Sequence, residues 1–93
     1  MSTVNAFVSV PDDVWQKLRQ LCGENVSKCV ESYIMSRTEP LTEAPRAKGT
    51  RSHTITLNVE AVEKLRRLCV KGRLWLCLRQ LIYDMVNIQA AQG

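Results

Sequence analysis

The chain predicts a mostly helical fold organised on a two-stranded antiparallel ribbon, with elements in the order β-α-α-β-α-α. Three observations carry that expectation. First, one stretch occurs twice: Phe7–Cys22 reads FVSVPDDVWQKLRQLC, and 47 residues later Thr54–Cys69 reads TITLNVEAVEKLRRLC. Lys17/Lys64, Leu18/Leu65, Arg19/Arg66, Leu21/Leu68 and Cys22/Cys69 are identical at that offset. Second, each copy passes from a period of two to helical spacing, which reads as a strand followed at once by a helix. Third, the 93 residues amount to one small domain. A domain of this size buries only about 60–65% of its unfolded surface, so two half-sized units must share one core.

In the first unit (3–35), Val4, Ala6, Val8 and Val10 alternate with Thr3, Asn5, Phe7 and Ser9, the pattern of a half-buried strand. Pro11 stops it, and Asp12 and Asp13 follow, where a helix N-terminus favours negative charge. Val14, Leu18, Leu21 and Cys22 form one helical face, and Gly23 is expected to end that helix. Asn25 is the expected N-cap of a second helix carrying Val26, Cys29, Val30, Tyr33 and Ile34. Residues 36–50 keep no periodicity and hold Pro40, Pro45 and Gly49, so they are expected to form a linker.

The second unit (51–86) repeats the plan. His53, Ile55 and Leu57 point one way; Ser52, Thr54 and Thr56 point the other. Asn58 caps a helix whose face is Ala61, Val62, Leu65, Leu68 and Cys69. The last helix has the strongest period, through Leu74, Cys77, Leu78, Leu81, Ile82, Met85 and Val86, and residues 87–93 are expected to fray as a tail.

Charge is uneven. The chain carries +4 overall, yet residues 1–45 hold four basic and six acidic side chains while residues 46–93 hold nine and three. That asymmetry points to a polyanionic partner met mainly by the second half. No apolar run approaches the roughly 20 residues of a membrane span, and the start, MSTVNAFVSV, has no basic n-region. A cytoplasmic location and no membrane partner are expected. Cys22 and Cys69 match in the repeats, as do Cys29 and Cys77 after one insertion. All four lie on apolar stripes, so they are expected to be reduced, buried hydrophobes, with redox sensing or a disulfide as the alternatives. Their spacing does not resemble a zinc site, and no metal or cofactor is expected. His53 is read as a packed or ribbon-end histidine. No nucleophile–base set or phosphate-binding glycine loop is apparent, so the chain is not expected to be an enzyme.

One strand–helix–helix unit leaves its strand unpaired and its helices half covered. Two units relieve both problems if the strands pair antiparallel over four helices. This arrangement resembles the ribbon-helix-helix family, the Arc/MetJ-type DNA-binding proteins, over about residues 3–35 and 50–86. Here it would be a tandem single-chain pseudo-dimer. The resemblance implies two ribbon-helix-helix units sharing one core, a single pseudo-dimeric domain over residues 1–93. It implies a ribbon in the major groove of double-stranded DNA, read through Asn5, Phe7, Ser9, Ser52, Thr54 and Thr56. It also implies a phosphate grip by the turn before each second helix: Asn25, Val26 and Lys28 in one unit, Lys71, Gly72 and Arg73 in the other, with Arg51 at the ribbon's edge. Arg46 and Lys48 are further basic candidates. The sequence departs from the family in having no Arg or Lys at the reading positions, in Glu24 at the first turn, and in lacking a capping side chain at the second.

The implied function is sequence-specific DNA binding as a transcriptional repressor or regulator, by a monomeric pseudo-dimer or a homodimer of it. The alternatives are an accessory protein of plasmid or phage DNA transfer or partition, and a ribbon-helix-helix protein-interaction module that has lost DNA binding.

Overall fold

The structure is a computed structural model that describes residues 2–45 and 48–92, with the backbone alone for 88–92. The elements are β1 (Thr3–Pro11), α1 (Asp12–Cys22), α2 (Val26–Ser36), β2 (Leu41–Thr42), β3 (Thr50–Asn58), α3 (Val59–Leu68), β4 (Cys69–Lys71) and α4 (Leu74–Gln92). β1 and β3 form one antiparallel two-stranded sheet; β2 and β4 form a second, parallel one.

That second sheet corrects the expected fold class. The chain is not a mostly α fold of two ribbon units in the order β-α-α-β-α-α. It is a mixed α/β fold in the order β-α-α-β-β-α-β-α. The physical reason lies in residues 36–50, read as an unstructured linker. Leu41 and Ala44 enter the core, with 1% and 6% of their surface exposed. Burying Leu41 draws the chain alongside the segment after α3, in the register Leu41↔Cys69 and Thr42↔Lys71. Backbone groups brought that close to the core need partners, and the two extended segments supply them to each other. The same pairing ends α3 at Leu68, one residue before the expected helical Cys69. At the other end, the expected fraying tail continues α4 to Gln92.

The β1–β3 register centres the molecule. Thr3 lies opposite Asn58 and Pro11 opposite Thr50, so Phe7 faces Thr54. Those two residues are also equivalent in the sequence repeat, so the pseudo-twofold axis passes through their pair. Ala6, Val8 and Val10 on β1 and Ile55 and Leu57 on β3 turn inward and are buried. They meet Leu18, Val30, Ile34, Leu65, Leu78, Leu81 and Ile82 from the four helices.

Local chemistry sets the helix ends. Asn25 accepts a hydrogen bond from the Lys28 amide at 3.1 Å, and Asn58 accepts one from the Ala61 amide at 2.7 Å. Gly23 closes α1 at φ 72°, a backbone state that disfavours a side chain, and its N–H donates to the Arg19 carbonyl at 2.8 Å. Arg37, just past α2, pairs with Asp84 of α4 at 3.0 Å and also donates to the Glu39 carbonyl.

The cysteines are not reduced hydrophobes: Cys22 is bonded to Cys29 and Cys69 to Cys77. The turn after α1 and the turn before α4 each bring two apolar stripes together, with Cα–Cα distances of 5.4 and 5.8 Å, within bridging range. Stripe position alone does not distinguish a buried thiol from a bridged one. Each bridge closes a short loop, and loop-closure entropy values such a link at about 2–3 kcal/mol. Replacing Cys22 and Cys29 together by Ser is expected to lower the unfolding free energy by that amount, read from the urea midpoint; replacing Cys69 and Cys77 should do the same. Midpoints equal to wild type would show that the bridges contribute nothing.

Candidate nucleic-acid interface

Alternation along β1 and β3 leaves one face of the ribbon outward. The register lines its side chains up as cross-strand pairs, Asn5 with Thr56, Phe7 with Thr54 and Ser9 with Ser52. All are exposed except Ser9, which is half-buried. Phe7, on the pseudo-axis, keeps 52% of its surface exposed, an apolar ring at the centre of a hydroxyl and amide stripe.

The helices of the two units flank opposite edges of the ribbon. At the β3 edge, the Ser27 hydroxyl of α2 accepts from the Thr56 amide at 3.1 Å, and Glu31 accepts from the Asn58 amide at 2.7 Å. At the β1 edge, Arg79 of α4 donates to the Ser9 carbonyl at 3.3 Å. Trp75 meets Phe7 edge to face, ring centroids 6.5 Å apart. Side chains thus occupy backbone groups of strands that would otherwise invite another chain. They also set the first turn of α2 against β3 and the first turn of α4 against β1. Ser27 and Trp75 were not among the sequence-derived site residues. Both are recognisable only from the spacing of a helix start relative to a strand in three dimensions.

The turn residues expected to hold phosphate fall at these two helix starts. Asn25 and Lys28 are exposed and Val26 is half-buried, but the Lys28 amide is already capped by Asn25. Lys71, Gly72 and Arg73 are exposed at the start of α4. There the Arg73 amide donates to the Glu43 carboxylate at 2.7 Å, a partner absent from the sequence reading. Arg51 lies at the far end of the ribbon opposite Val10, in a loose, solvent-exposed ion pair with Asp12 at 3.7 Å. Pairs of that kind contribute little. Lys48 is exposed, and Arg46 lies outside the described residues.

His53 faces Val8 across the ribbon and stacks on Trp15 of α1, centroids 3.9 Å apart and planes 5° from parallel. Its Nε2 is buried and finds no hydrogen-bond partner among the described residues. Burial therefore pushes its pKa below the ordinary 6.5; Asp12 opposes this and Arg51 adds to it. A neutral ring suits this stack. No helix among the described residues is long and apolar enough to cross a membrane.

Because the folded-state pKa of His53 is depressed, the unfolded chain takes up the proton first. The stabilising difference is whole above about 6.5, the unfolded value, and is lost as pH falls from there through the folded value. Urea unfolding of wild type and His53→Phe across pH 8 to 5 should therefore show wild type losing stability relative to the variant below about 6.5. Parallel pH profiles would contradict a depressed pKa.

Compared with known proteins, the chain matches no family model, no curated protein and no solved structure.

Proposed function

We propose that the chain binds double-stranded DNA in a sequence-specific way, laying the outward face of the β1–β3 ribbon in the major groove as the ribbon-helix-helix proteins it resembles do. The observation that carries this reading is the register. It sets Asn5/Thr56, Phe7/Thr54 and Ser9/Ser52 in one outward row between the first turns of α2 and α4. A two-stranded ribbon fits the width of the major groove. Asn can pair bidentately with adenine, hydroxyls serve as adaptable donors and acceptors, and Phe7 can meet a thymine methyl.

The pseudo-axis sharpens the reading. Rotation about the Phe7–Thr54 pair exchanges the Asn5/Thr56 end of the ribbon with the Ser52/Ser9 end. The two ends carry different chemistry, so the preferred site is asymmetric, and its more discriminating half lies under Asn5 and Thr56. The role that follows is a repressor or regulator at a short site, acting as a single-chain pseudo-dimer. Its proposed location is the cytoplasm, where the thiol pool sets whether the two cysteine pairs are bridged.

The test is selection of a preferred site from random duplex, followed by variants. Thr54→Ala and Thr56→Ala are expected to relax base preference at one or two positions, by about 1–3 kcal/mol for a good contact. Unchanged affinity and unchanged preference in both would sink the ribbon reading. Lys28→Ala and Lys71→Ala are expected to weaken binding to every sequence and to flatten the plot of log affinity against log salt by about 0.9 for each lost phosphate contact. A change limited to base preference would remove them from phosphate contact. No shift of random duplex at low salt would instead favour a protein-interaction module.

A further inference from the structure

The start of α4 is one of the two places where this reading puts a DNA phosphate, and the chain already fills it with a carboxylate of its own. Glu43 comes from outside both repeats. Its Oε1 takes the Arg73 amide at 2.7 Å. Its side chain lies across Gly72, so closely that a Cβ there would sit 1.9 Å from Glu43 Cγ and 2.6 Å from Oε1. Gly72, at φ 109°, has the one side-chain-free backbone that admits this approach. Anchors on both sides hold Glu43 in place. Before it, Leu41 and Thr42 pair with Cys69 and Lys71; after it, the Ala44 amide donates to the Leu76 carbonyl at 3.1 Å.

Beside Glu43 lies a buried arginine whose Nη1 donates to the Ser9 carbonyl at the β1 edge. Arg79 keeps only 8% of its surface exposed, and its Nε finds no hydrogen-bond partner among the described residues. It lines, with Arg73, Leu76, Pro45 and Glu43, an open cavity of about 670 Å³. The Glu43 carboxylate thus sits at the start of a 19-residue helix, beside a cavity that Arg73 and Arg79 also line. The equivalent turn of the first unit is different. There the Lys28 amide goes to the neutral side chain of Asn25.

We propose that Glu43 is an internal phosphate surrogate, a latch that holds the α4 half of the interface closed until a DNA phosphate displaces it. The proposal rests on the DNA-binding reading for its ligand. A phosphodiester oxygen has the charge and acceptor geometry of the carboxylate it replaces. It takes the Arg73 amide, while the freed carboxylate, on an exposed side chain, returns to water. Lys71 and Arg73, both exposed, then face phosphate with no carboxylate between them. The two ends of the ribbon consequently engage DNA unequally, the α2 end without displacement and the α4 end only after it.

The test compares wild type, Glu43→Ala, Glu43→Gln and a charge-matched control on the exposed face of α3, Glu63→Gln. Two measurements are made: binding to a random duplex at fixed salt, and the NMR shift of the Arg73 amide as inorganic phosphate is added. Circular dichroism and urea unfolding establish that each variant is folded. Glu43→Ala is expected to raise duplex affinity by roughly two- to tenfold, the range of one surface hydrogen bond. Glu43→Gln, which keeps a neutral acceptor, should fall between it and wild type, and Glu63→Gln should change affinity by less than about twofold, as a distant exposed charge does. The Arg73 amide should respond to phosphate at lower concentration in Glu43→Ala than in wild type. Glu43→Ala no tighter than Glu63→Gln, or an Arg73 amide equally indifferent to phosphate in both proteins, overturns the latch and leaves Glu43 a helix cap. If no protein in the series binds duplex, the DNA reading fails. The Arg73 amide then decides the latch alone: it stands if phosphate moves that amide more readily in Glu43→Ala, and falls if it does not.

Discussion

The pairing of β1 with β3 is the constraint on which the rest of this structure depends. Each strand belongs to a different copy of the repeat, and neither copy can satisfy its own strand. The register Phe7↔Thr54 places equivalent residues opposite each other, so the two copies of the repeat meet at the centre of the ribbon and share the core beneath it. A slip of one residue would turn Ala6, Val8, Ile55 and Leu57 to solvent and bring Asn5, Thr54 and Thr56 inside. The same pairing therefore fixes which side chains make the core and which make the outward stripe. It also leaves two open strand edges. Glu31 and Ser27 close one and Arg79 supports the other, and in doing so they set the helix starts beside the stripe.

The two halves are similar in plan and different in chemistry. The first has a neutral Asn25 cap at its turn, with Glu24 beside it. The second is basic, and its turn is occupied by Glu43 from the β2 segment. Each turn is also enclosed by a disulfide, Cys22–Cys29 in one half and Cys69–Cys77 in the other. The bridges tie the end of one helix to the next helix at the point where a ligand would press on the turn. In the bridged form, such restraint lowers the ordering entropy that binding would otherwise cost. Near the ribbon's end, the Trp15–His53 stack does for β3 and α1 what aliphatic contacts do elsewhere. It buries a ring nitrogen that gains nothing from being charged.

Much of this was legible in the sequence because it is local or periodic. Alternation over residues 3–10 and 52–57 marked the inward and outward positions of both strands. Helical spacing marked Leu18, Val30, Ile34, Leu65, Leu78, Leu81 and Ile82 as core, and Asn25 and Asn58 were recognisable as caps because capping acts within three residues. The repeat itself identified Phe7 and Thr54 as equivalent. The fold class was still misjudged, because a two-residue strand such as Leu41–Thr42 has no period to detect. The cysteines were misread for a related reason: equivalent positions on a stripe say that two residues are buried alike, not how far apart their Cα atoms lie.

By itself, then, the sequence determined the inventory of faces: which side of each strand and helix is apolar, where the helices begin, and that two copies of one plan are present. Those properties follow from near-neighbour sterics, capping and hydrophobic periodicity, all carried by residues a few positions apart. Tertiary structure alone decided which faces meet. It drew Leu41 to the core and so created β2–β4, brought the paired cysteines within bonding distance, stacked His53 on Trp15, and carried Glu43 thirty residues along the chain to the Arg73 amide. The strength of each of these contacts depends on distance in space, and separation in sequence carries no record of it.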